Sequence, residues 1–369
     1  MALNGRGEII VGDAPVQGAD FNKIISRTGL QAVCDDVASI WGLEVKLIDF
    51  RLWSVELDDN HRTIANNSLA GDLSGYCAVD LGQKSQLMPL AEQCERFRVT
   101  NYDCSEMYTH HNRNINEYLI PRSVLEADVV INVPKLKTHK KVGLTAALKN
   151  LVGINGHKDW LPHHRIGGVS EGGDEYRGVS CIKSLKSKLE QRISNQSKLV
   201  WKISSLGVSI LKRLSILKGE DQYEEGSWYG NDTGWRMVLD LNRALIYADK
   251  NGQIQDTSQR HCLTIVDAIV AGEGEGPMAP DPVNCGMLVC GGSSVAVDFA
   301  IALIIGFDYK KIPLIYNGFN IDTLPLVDFE TADISIMKNV INDVGETIGN
   351  SDISFHFTPP LGWKGHIEI

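Results

Sequence analysis

Short runs of β-branched residues alternate along this chain with segments of helical periodicity, and this alternation constrains the fold more than any other feature. Glu8–Val11 and Val45–Phe50 are predicted strands, and the helical pattern between them is interrupted at Gly29 and ends at Gly42. Such chains usually form a mostly parallel sheet with helices on both faces. We therefore expect an α/β fold of that type.

The same alternation continues through the second half of the chain. The predicted elements there are a strand at Asp128–Val133, a helix at Thr145–Leu151, a strand at Leu263–Ala271, a strand at Met287–Cys290 and a helix at Ser293–Ile305. In such sheets ligands bind beyond the carboxyl ends of the strands. The polar loops that follow the predicted strands are therefore the first places to look for a site.

One segment differs from the rest, and we expect it to lie in an insertion. We predict that residues 1–369 form one α/β domain, with a partly helical insertion at about 157–235. Within it, residues 182–218 form a basic amphipathic pattern, with nine lysines or arginines and one acid between residues 183 and 218. Either this segment packs on the body with a solvated lysine face, or it contacts anionic lipid or a partner subunit.

Composition excludes several classes of function. A net charge of -10 argues against general nucleic-acid binding, which needs a basic surface. The eight cysteines form no Cys-x-x-Cys pair, so we expect no iron–sulfur cluster. Neither the P-loop nor the Gly-x-Gly-x-x-Gly motif occurs after a strand, so no nucleotide cofactor motif is present. With a polar start and no leader, the expected location is cytoplasmic, with peripheral contact at the inner face of the membrane left open.

The strongest candidate site follows the predicted strand at Asp128–Val133. Lys135, Lys137 and His139 alternate, so an extended backbone would turn them to one side. The predicted helix comes next, and its N-terminal N–H groups suit an anion. Lys149 and Asn150 lie in the apolar part of that helix, where an unpaired lysine is costly. We expect Lys135, Lys149 and Asn150 to bind an anionic substrate, with Lys137 and His139 as catalytic groups.

Two other loops contain candidates. Asp13 and Gln17 come just after the first predicted strand, have no helix-capping role, and are expected to face a substrate. Glu273 and Glu275 lie between glycines directly after the strand at Leu263–Ala271, where either could act as a general base or ligate a cation. A polar turn with no chemical role is the alternative for that loop. Arg236 is a further substrate-binding candidate, although a structural salt bridge is its default role.

Histidines cluster near residue 160 and allow a metal site. His157, Asp159, His163 and His164 are the candidate ligands, with Glu275 as a further one. The spacing matches no standard His-x-x-x-His arrangement. A divalent metal is therefore an expectation from residue type more than from spacing.

Four stretches of the chain carry a resemblance to a known family. Val129–Gly153, with its Lys-x-Lys-x-His motif and following Lys-Asn, resembles the family catalogued as domain of unknown function 362, as do Asp13–Gln17, Ile265–Pro277 and Ala296–Asp298. Gly156–His164 and Asn231–Arg236 are similar to the branch associated with bacterial surface-polysaccharide genes. The resemblance implies the fold more than an activity. Many members carry an iron–sulfur module, and this chain lacks the cysteine spacing for one.

A shorter similarity concerns the order of four residues. Lys137, His139, Gly143 and Lys149 resemble the pattern of lactate racemase-type proteins, in which a lysine and histidines hold a nickel-pincer cofactor. That similarity serves only as an analogy.

Taken together, these features predict an enzyme acting on a carboxylated or phosphorylated sugar-type metabolite. Proton transfer next to a carbonyl or carboxylate, by an isomerase, epimerase or lyase with or without a metal, suits the predicted groups. Group transfer from an activated sugar in surface-polysaccharide biosynthesis is one alternative. A non-catalytic binding or assembly protein at the membrane surface is the other, and it rests on residues 183–218.

Overall fold

The computed structural model describes residues 7–57, 63–99, 104–193, 198–221, 223–340, 343–348 and 355–369. Its strands, in chain order, are β1 (Glu8–Asp13), β2 (Glu44–Asp49), β3 (Trp53–Leu57), β4 (Thr63–Ser68), β5 (Tyr76–Asp80), β6 (Phe97–Arg98), β7 (Glu117–Pro121), β8 (Val129–Asn132), β9 (Lys135–His139), β10 (Gly143–Thr145), β11 (His164–Arg165), β12 (His261–Glu275), β13 (Ala279–Gly291), β14 (Ile336–Val340) and β15 (Asp343–Ile348). Its α-helices are α1 (Phe21–Thr28), α2 (Leu30–Trp41), α3 (Met107–His110), α4 (Arg122–Glu126), α5 (Ala147–Asn150), α6 (Cys181–Ile193), α7 (Lys198–Leu217), α8 (Gly234–Tyr247), α9 (Ser294–Ile304) and α10 (Pro313–Gly318).

The first unit of the fold is a parallel strand pair joined by two helices. β1 and β2 pair in parallel from Glu8 opposite Glu44 to the last residues of both strands. Gly29 has a φ of 69°, a left-handed conformation that glycine adopts without steric cost, and it separates α1 from α2. Gly42, with a φ of 64°, ends α2. The predicted strand–helix–helix–strand order is confirmed.

The largest sheet is mixed, so the predicted mostly parallel sheet is not confirmed. Its order is β10-β9-β12-β13, with β8 also paired to β12. β8 and β9 run parallel to β12, whereas β13 is antiparallel to β12 and β10 is antiparallel to β9. The expectation failed because β12 does not end at Ala271. Its backbone continues to pair with β13 as far as Glu275, and ladder hydrogen bonds require no side chain at the glycines.

Helices cover one face of this sheet, where the main core lies. α9 packs on β12 and β13, and α5 packs between α8 and α9. The opposite face exposes apolar side chains, with Val129, Ile131 and Leu288 each more than half exposed (56%, 56% and 59%). Helices on both faces, as the sequence led us to expect, are therefore absent from this sheet in the part of the chain that the structure describes.

The basic segment forms the helical pair α6 and α7, which pack against each other. Lys183 and Lys186 on α6 are buried and form ion pairs with Asp221 and Glu224. α7 instead exposes a stripe of apolar residues at helical spacing, namely Leu206 (63%), Ile210 (49%), Leu214 (44%) and Leu217 (81%). The view of a helix with its apolar face packed on the body is therefore wrong for this stripe.

Candidate functional site

The candidate site begins on β9, where the three alternating residues do not act as one group. Lys135 is exposed and forms an ion pair of 2.5 Å with Asp267. The pairing of β9 with β12 is irregular between Lys135 and Lys137, because the two are opposite Asp267 and Gly272 respectively. This irregularity separates Lys135 from the next two residues of the alternation. Lys137 is half-buried and His139 is buried, and these two belong to the cluster described below.

Lys149 lies on α5, a helix of four residues that is shorter than predicted because Gly143–Thr145 forms β10. The backbone N–H groups at the N-terminus of α5 are not available to an anionic ligand. Asp298 on α9 accepts hydrogen bonds from the backbone N–H groups of Ala147 (2.6 Å) and Leu148 (3.1 Å). The expectation that these N–H groups bind a ligand is therefore wrong, because a buried carboxylate of the same chain already occupies them.

Three lysines, Lys137, Lys141 and Lys158, lie close enough to Lys149 for their charges to act on it. Asp13, at the end of β1, acts in the same way on Lys137 and Lys158. Burial, and then the positive charges of Lys158, Lys137 and Lys141, lower the pKa of Lys149 to about 7. Burial also raises the pKa of Asp13, an effect that the nearby Lys158 opposes. An excess of positive charge in a partly buried place favours an anionic ligand.

Two of these lysines have structural partners. Lys141 donates a hydrogen bond to the carbonyl of Glu225, and Lys158 donates one of 2.9 Å to the carbonyl of Val152. Burial lowers the pKa of both to about 8. Lys137 and Lys149, in contrast, form no hydrogen bond or ion pair with any other described residue, and both keep part of their side chain open to solvent. These two amines are available to a ligand.

Two histidines beside Lys149 have opposite tautomers. His139 Nδ1 accepts a hydrogen bond of 3.1 Å from the backbone N–H of Lys141, which leaves the proton of the neutral ring on Nε2. His163 Nδ1 lies 2.7 Å from the carbonyl of Leu161 and donates to it, so its Nε2 keeps a lone pair. Burial and then the charge of Lys149 lower the pKa of both rings well below the usual value, so both are neutral at pH 7. One ring offers a donor and the other an acceptor.

Several predicted residues have other partners. The guanidinium of Arg236 forms an ion pair of 3.0 Å with Asp232 and lies over the ring of Trp235. Its default structural role is thus the observed one. Asn150 donates to the side chain of Asn132 at 2.8 Å, which ties the end of α5 to β8.

The two glutamates between glycines hold the C-terminal segment. A carboxylate oxygen of Glu273 accepts from the backbone N–H of Thr358 (2.7 Å), and one of Glu275 accepts from that of Leu361 (2.7 Å). Both side chains therefore stabilise the attachment of residues 358–361 to β12. The catalytic role expected for them stays a prediction, while the contacts that they make are structural.

The four candidate metal ligands divide between two surroundings. His163 belongs to the lysine cluster, and His164 is buried beside Lys141. His157 stacks on Trp160 with ring centroids 5.1 Å apart, and Asp159 accepts a hydrogen bond of 3.2 Å from Gln17. Among the described residues, no group of three or more histidines, cysteines or acids is arranged to hold a metal. The metal stays a prediction from residue type.

Lys141 and Lys158 were not among the predicted site residues, and His163 was predicted as a metal ligand. Lys141 stands in the basic run after β9, and Lys158 lies between two candidate metal ligands. The apolar residues Trp160 and Leu161 beside Lys158 are the one local sign that this lysine is buried. Two cavities lie elsewhere, one of about 750 Å³ lined by residues that include Arg260 and one of about 400 Å³ near Lys188.

A family model matches residues 66–303, which include the whole lysine and histidine cluster except Asp13. The match covers more than half of the chain. The chain belongs to the family described as domain of unknown function (DUF362). The resemblance in Val129–Gly153 is thereby confirmed at the level of the family. The DUF362 description names no activity, so function has to be argued from the site.

One curated relative of this DUF362 chain is a thylakoid-associated protein of Synechocystis, sll1697. It is 24% identical over 206 residues, which are 56% of this chain and 41% of that protein. The chain therefore matches less than half the length of this relative. No solved structure matches the chain. Within the described residues, no helix is both long enough and apolar enough to cross a membrane.

Proposed function

We propose that this DUF362 protein is an enzyme that moves a proton on an anionic, carboxylated or phosphorylated, sugar-type metabolite. The observation that carries the proposal is the pair His139 and His163, which offer a donor and an acceptor close enough to Lys149 for its charge to act on both rings. An isomerase, epimerase or lyase needs such a pair, because one group removes a proton while the other donates one. A role in surface-polysaccharide biosynthesis stays a prediction from resemblance.

In this proposal the lysines bind the anionic group and the histidines act on the carbon next to it. Lys137 and Lys149 would contact the carboxylate or phosphate, and the charge of the neighbouring Lys158 would add to theirs. His163 Nε2 would accept the proton, and the Nε2–H of His139 would stabilise the oxygen on which negative charge develops. Charge-assisted hydrogen bonds in a partly buried place are strong enough to orient a small substrate.

Deuterium exchange tests this proposal. The purified protein is incubated in D₂O with sugar acids and sugar phosphates, and the loss of a C–H signal next to the carbonyl or carboxylate is followed by NMR. His139→Asn and His163→Asn should each slow the exchange by at least about 100-fold. His366→Asn is the matched control, since His366 stacks on Tyr229 with ring centroids 3.9 Å apart and should leave the rate unchanged. Exchange that persists in both variants contradicts the proposal.

We further propose that α7 rests on an anionic membrane surface. Its exposed apolar stripe supports this, since large exposed apolar patches mark interaction sites. Lys212 and Arg213 are exposed on the same helix, and the exposed Lys218 follows its last residue. The thylakoid association named for the relative is consistent with a membrane role. A helix with an apolar stripe and basic neighbours binds acidic headgroups while its apolar side chains enter the interface.

Vesicle co-sedimentation tests the membrane proposal. The protein should bind phosphatidylglycerol vesicles, and Leu206→Ser combined with Leu214→Ser should weaken binding by about tenfold or more. Leu73→Ser is the control, because Leu73 is 91% exposed and lies outside α7. Equal vesicle binding by the wild type and the Leu206→Ser, Leu214→Ser variant contradicts the proposal. Self-association of the wild type in solution without vesicle binding contradicts it as well.

A further inference from the structure

We propose that Lys149 forms a Schiff base with a carbonyl group of the substrate, so that the substrate class is a small anionic ketone or aldehyde. This inference rests on the proposed function and adds a covalent step to it. The geometry that supports it is a lysine amine without a partner among the described residues, presented from a fixed backbone and close to two histidines of opposite tautomer.

Side chains from three other elements bind the backbone next to Lys149. Asp298 binds the N–H groups at the start of α5, and Asn242 donates a hydrogen bond of 3.0 Å to the carbonyl of Leu148. Asn132 donates one of 2.8 Å to the carbonyl of Ala147. A nucleophile reacts efficiently only when it is held close to the attacked atom, and these contacts fix its attachment point. No other described residue forms a hydrogen bond or ion pair with the Lys149 amine.

Electrostatics keep this amine reactive. Only a neutral amine attacks a carbonyl, and an ordinary lysine is almost fully protonated at pH 7. Burial and three neighbouring lysines bring the pKa of Lys149 to about 7, so about half of the amine is neutral there. The other lysines are less suitable, because Lys141 and Lys158 donate hydrogen bonds and the nearby Asp13 favours the charged form of Lys137.

The step balances with the groups that are present. His163 Nε2 first takes the extra proton of the Lys149 ammonium. The neutral amine then forms the C–N bond while the carbonyl π pair moves to oxygen, which accepts a hydrogen bond from His139 Nε2–H and takes the ammonium proton from His163. His163 Nε2 removes a proton from nitrogen to give the neutral carbinolamine. That proton returns to the hydroxyl, which leaves as water, and the nitrogen lone pair forms the C=N bond. The net change is one carbonyl and one protonated amine converted to one protonated imine and one water.

The protonated imine would serve the proton transfer proposed above. Its positive charge withdraws electrons from the neighbouring carbon, so the C–H bond there becomes more acidic. His163, neutral again after the water has left, would be the base for that proton. Lys137 remains to hold the carboxylate or phosphate group.

Borohydride trapping tests the inference on the unmodified protein. Pyruvate and dihydroxyacetone phosphate serve as probes of the two anionic classes, and borohydride reduces any imine to a stable amine that peptide mass spectrometry locates. We expect the adduct at Lys149 in wild type and in the control Lys135→Arg. In Lys149→Arg, trapping should fall by at least about 20-fold, because a guanidinium forms no such imine at neutral pH.

The absence of an adduct at Lys149, or equal labelling of Lys149 and surface lysines, overturns the inference. Calorimetric titration with the same probes, without borohydride, then tests whether the proposed anion site is also wrong. Binding without trapping means that the proposed anion site stands and only the Schiff base is wrong. Neither binding nor trapping overturns the anion site together with the Schiff base.

Discussion

The Asp298 carboxylate accepts a hydrogen bond of 2.6 Å from the backbone N–H of Ala147, and this contact joins α9 to the short helix that carries Lys149. Asp298 is fully buried, and burial raises its pKa to about 7 against the lowering effect of its backbone hydrogen bonds. Because burial of this carboxylate is unfavourable, we infer that Asp298 is there to position α5. It holds the segment from which the candidate nucleophile projects.

Removal of this carboxylate should destabilise the protein. Asp298→Ala leaves two buried N–H groups without an acceptor, so we expect the free energy of unfolding to fall by about 2–4 kcal/mol in urea denaturation. Asp308→Ala is the control, because Asp308 accepts a hydrogen bond of 3.0 Å from Lys310 N–H at the surface. That variant should lose less than about 1 kcal/mol. Equal losses in the two variants would contradict the positional role.

Lys149 should lower the free energy of unfolding, by an amount that depends on pH. Its pKa is about 7 in the fold against 10.5 for the free group, so above pH 7 the unfolded state binds more protons and wild-type stability rises with pH. Lys149→Met removes this effect. The variant should therefore be more stable than wild type at about pH 6, and the difference should shrink by about 1–3 kcal/mol at about pH 9.

Urea denaturation at the two pH values measures this difference. Lys135→Met is the matched control, because Lys135 is exposed and its ion pair with Asp267 contributes less than about 1 kcal/mol at either pH. A constant stability difference between Lys149→Met and wild type would show that Lys149 has an ordinary pKa.

The two histidine tautomers are directly observable. In ¹⁵N NMR spectra near neutral pH, His139 should carry its proton on Nε2, because its Nδ1 accepts a backbone hydrogen bond. His163 should carry its proton on Nδ1, because that atom donates to a backbone carbonyl. Neither ring should titrate between about pH 6 and 8, since burial lowers both pKa values. His139→Asn and His163→Asn assign the signals. Identical tautomers would remove the donor–acceptor pair.

Glu275 should act through the C-terminal segment. Glu275→Ala removes the acceptor of Leu361 N–H, so the backbone amide of Leu361 should exchange with solvent about tenfold faster or more, while residues 359 and 360 are prolines and carry no N–H. The anion affinity should stay within about twofold of wild type, because the Glu275 carboxylate bonds to this segment and not to the lysines. A loss of anion binding with normal amide exchange would support the catalytic role first expected.

Local signals in the sequence predicted the elements that depend on local interactions. Gly29 and Gly42 end helices through their own backbone conformation, and the first strands follow from their β-branched residues. The extension of β12 through Gly272 and Gly274 was not predictable in this way. It depends on hydrogen bonds to β13, which compensate for the low strand preference of glycine.

The candidate site was predicted only in part, for the same reason. The run after β8 identified Lys137, His139 and Lys149, because lysines in apolar surroundings are unusual. The contact between Asp298 and α5 joins residues about 150 positions apart, and no sequence pattern signals it. His163 lies near Lys149 because the chain folds back after the intervening turns, which the local sequence does not indicate. The neighbouring histidines in the sequence indicated a metal ligand instead.

The central claim is that Lys137 and Lys149 bind an anion, and calorimetric titration with a sugar acid and with inorganic phosphate tests it most directly. Wild type and Lys135→Met should bind with equal affinity, because Lys135 is paired with Asp267 outside the cluster. Lys137→Met should bind about tenfold more weakly or worse, since one charge-assisted contact is lost. Equal affinity in all three proteins, or no binding in any, would contradict the claim.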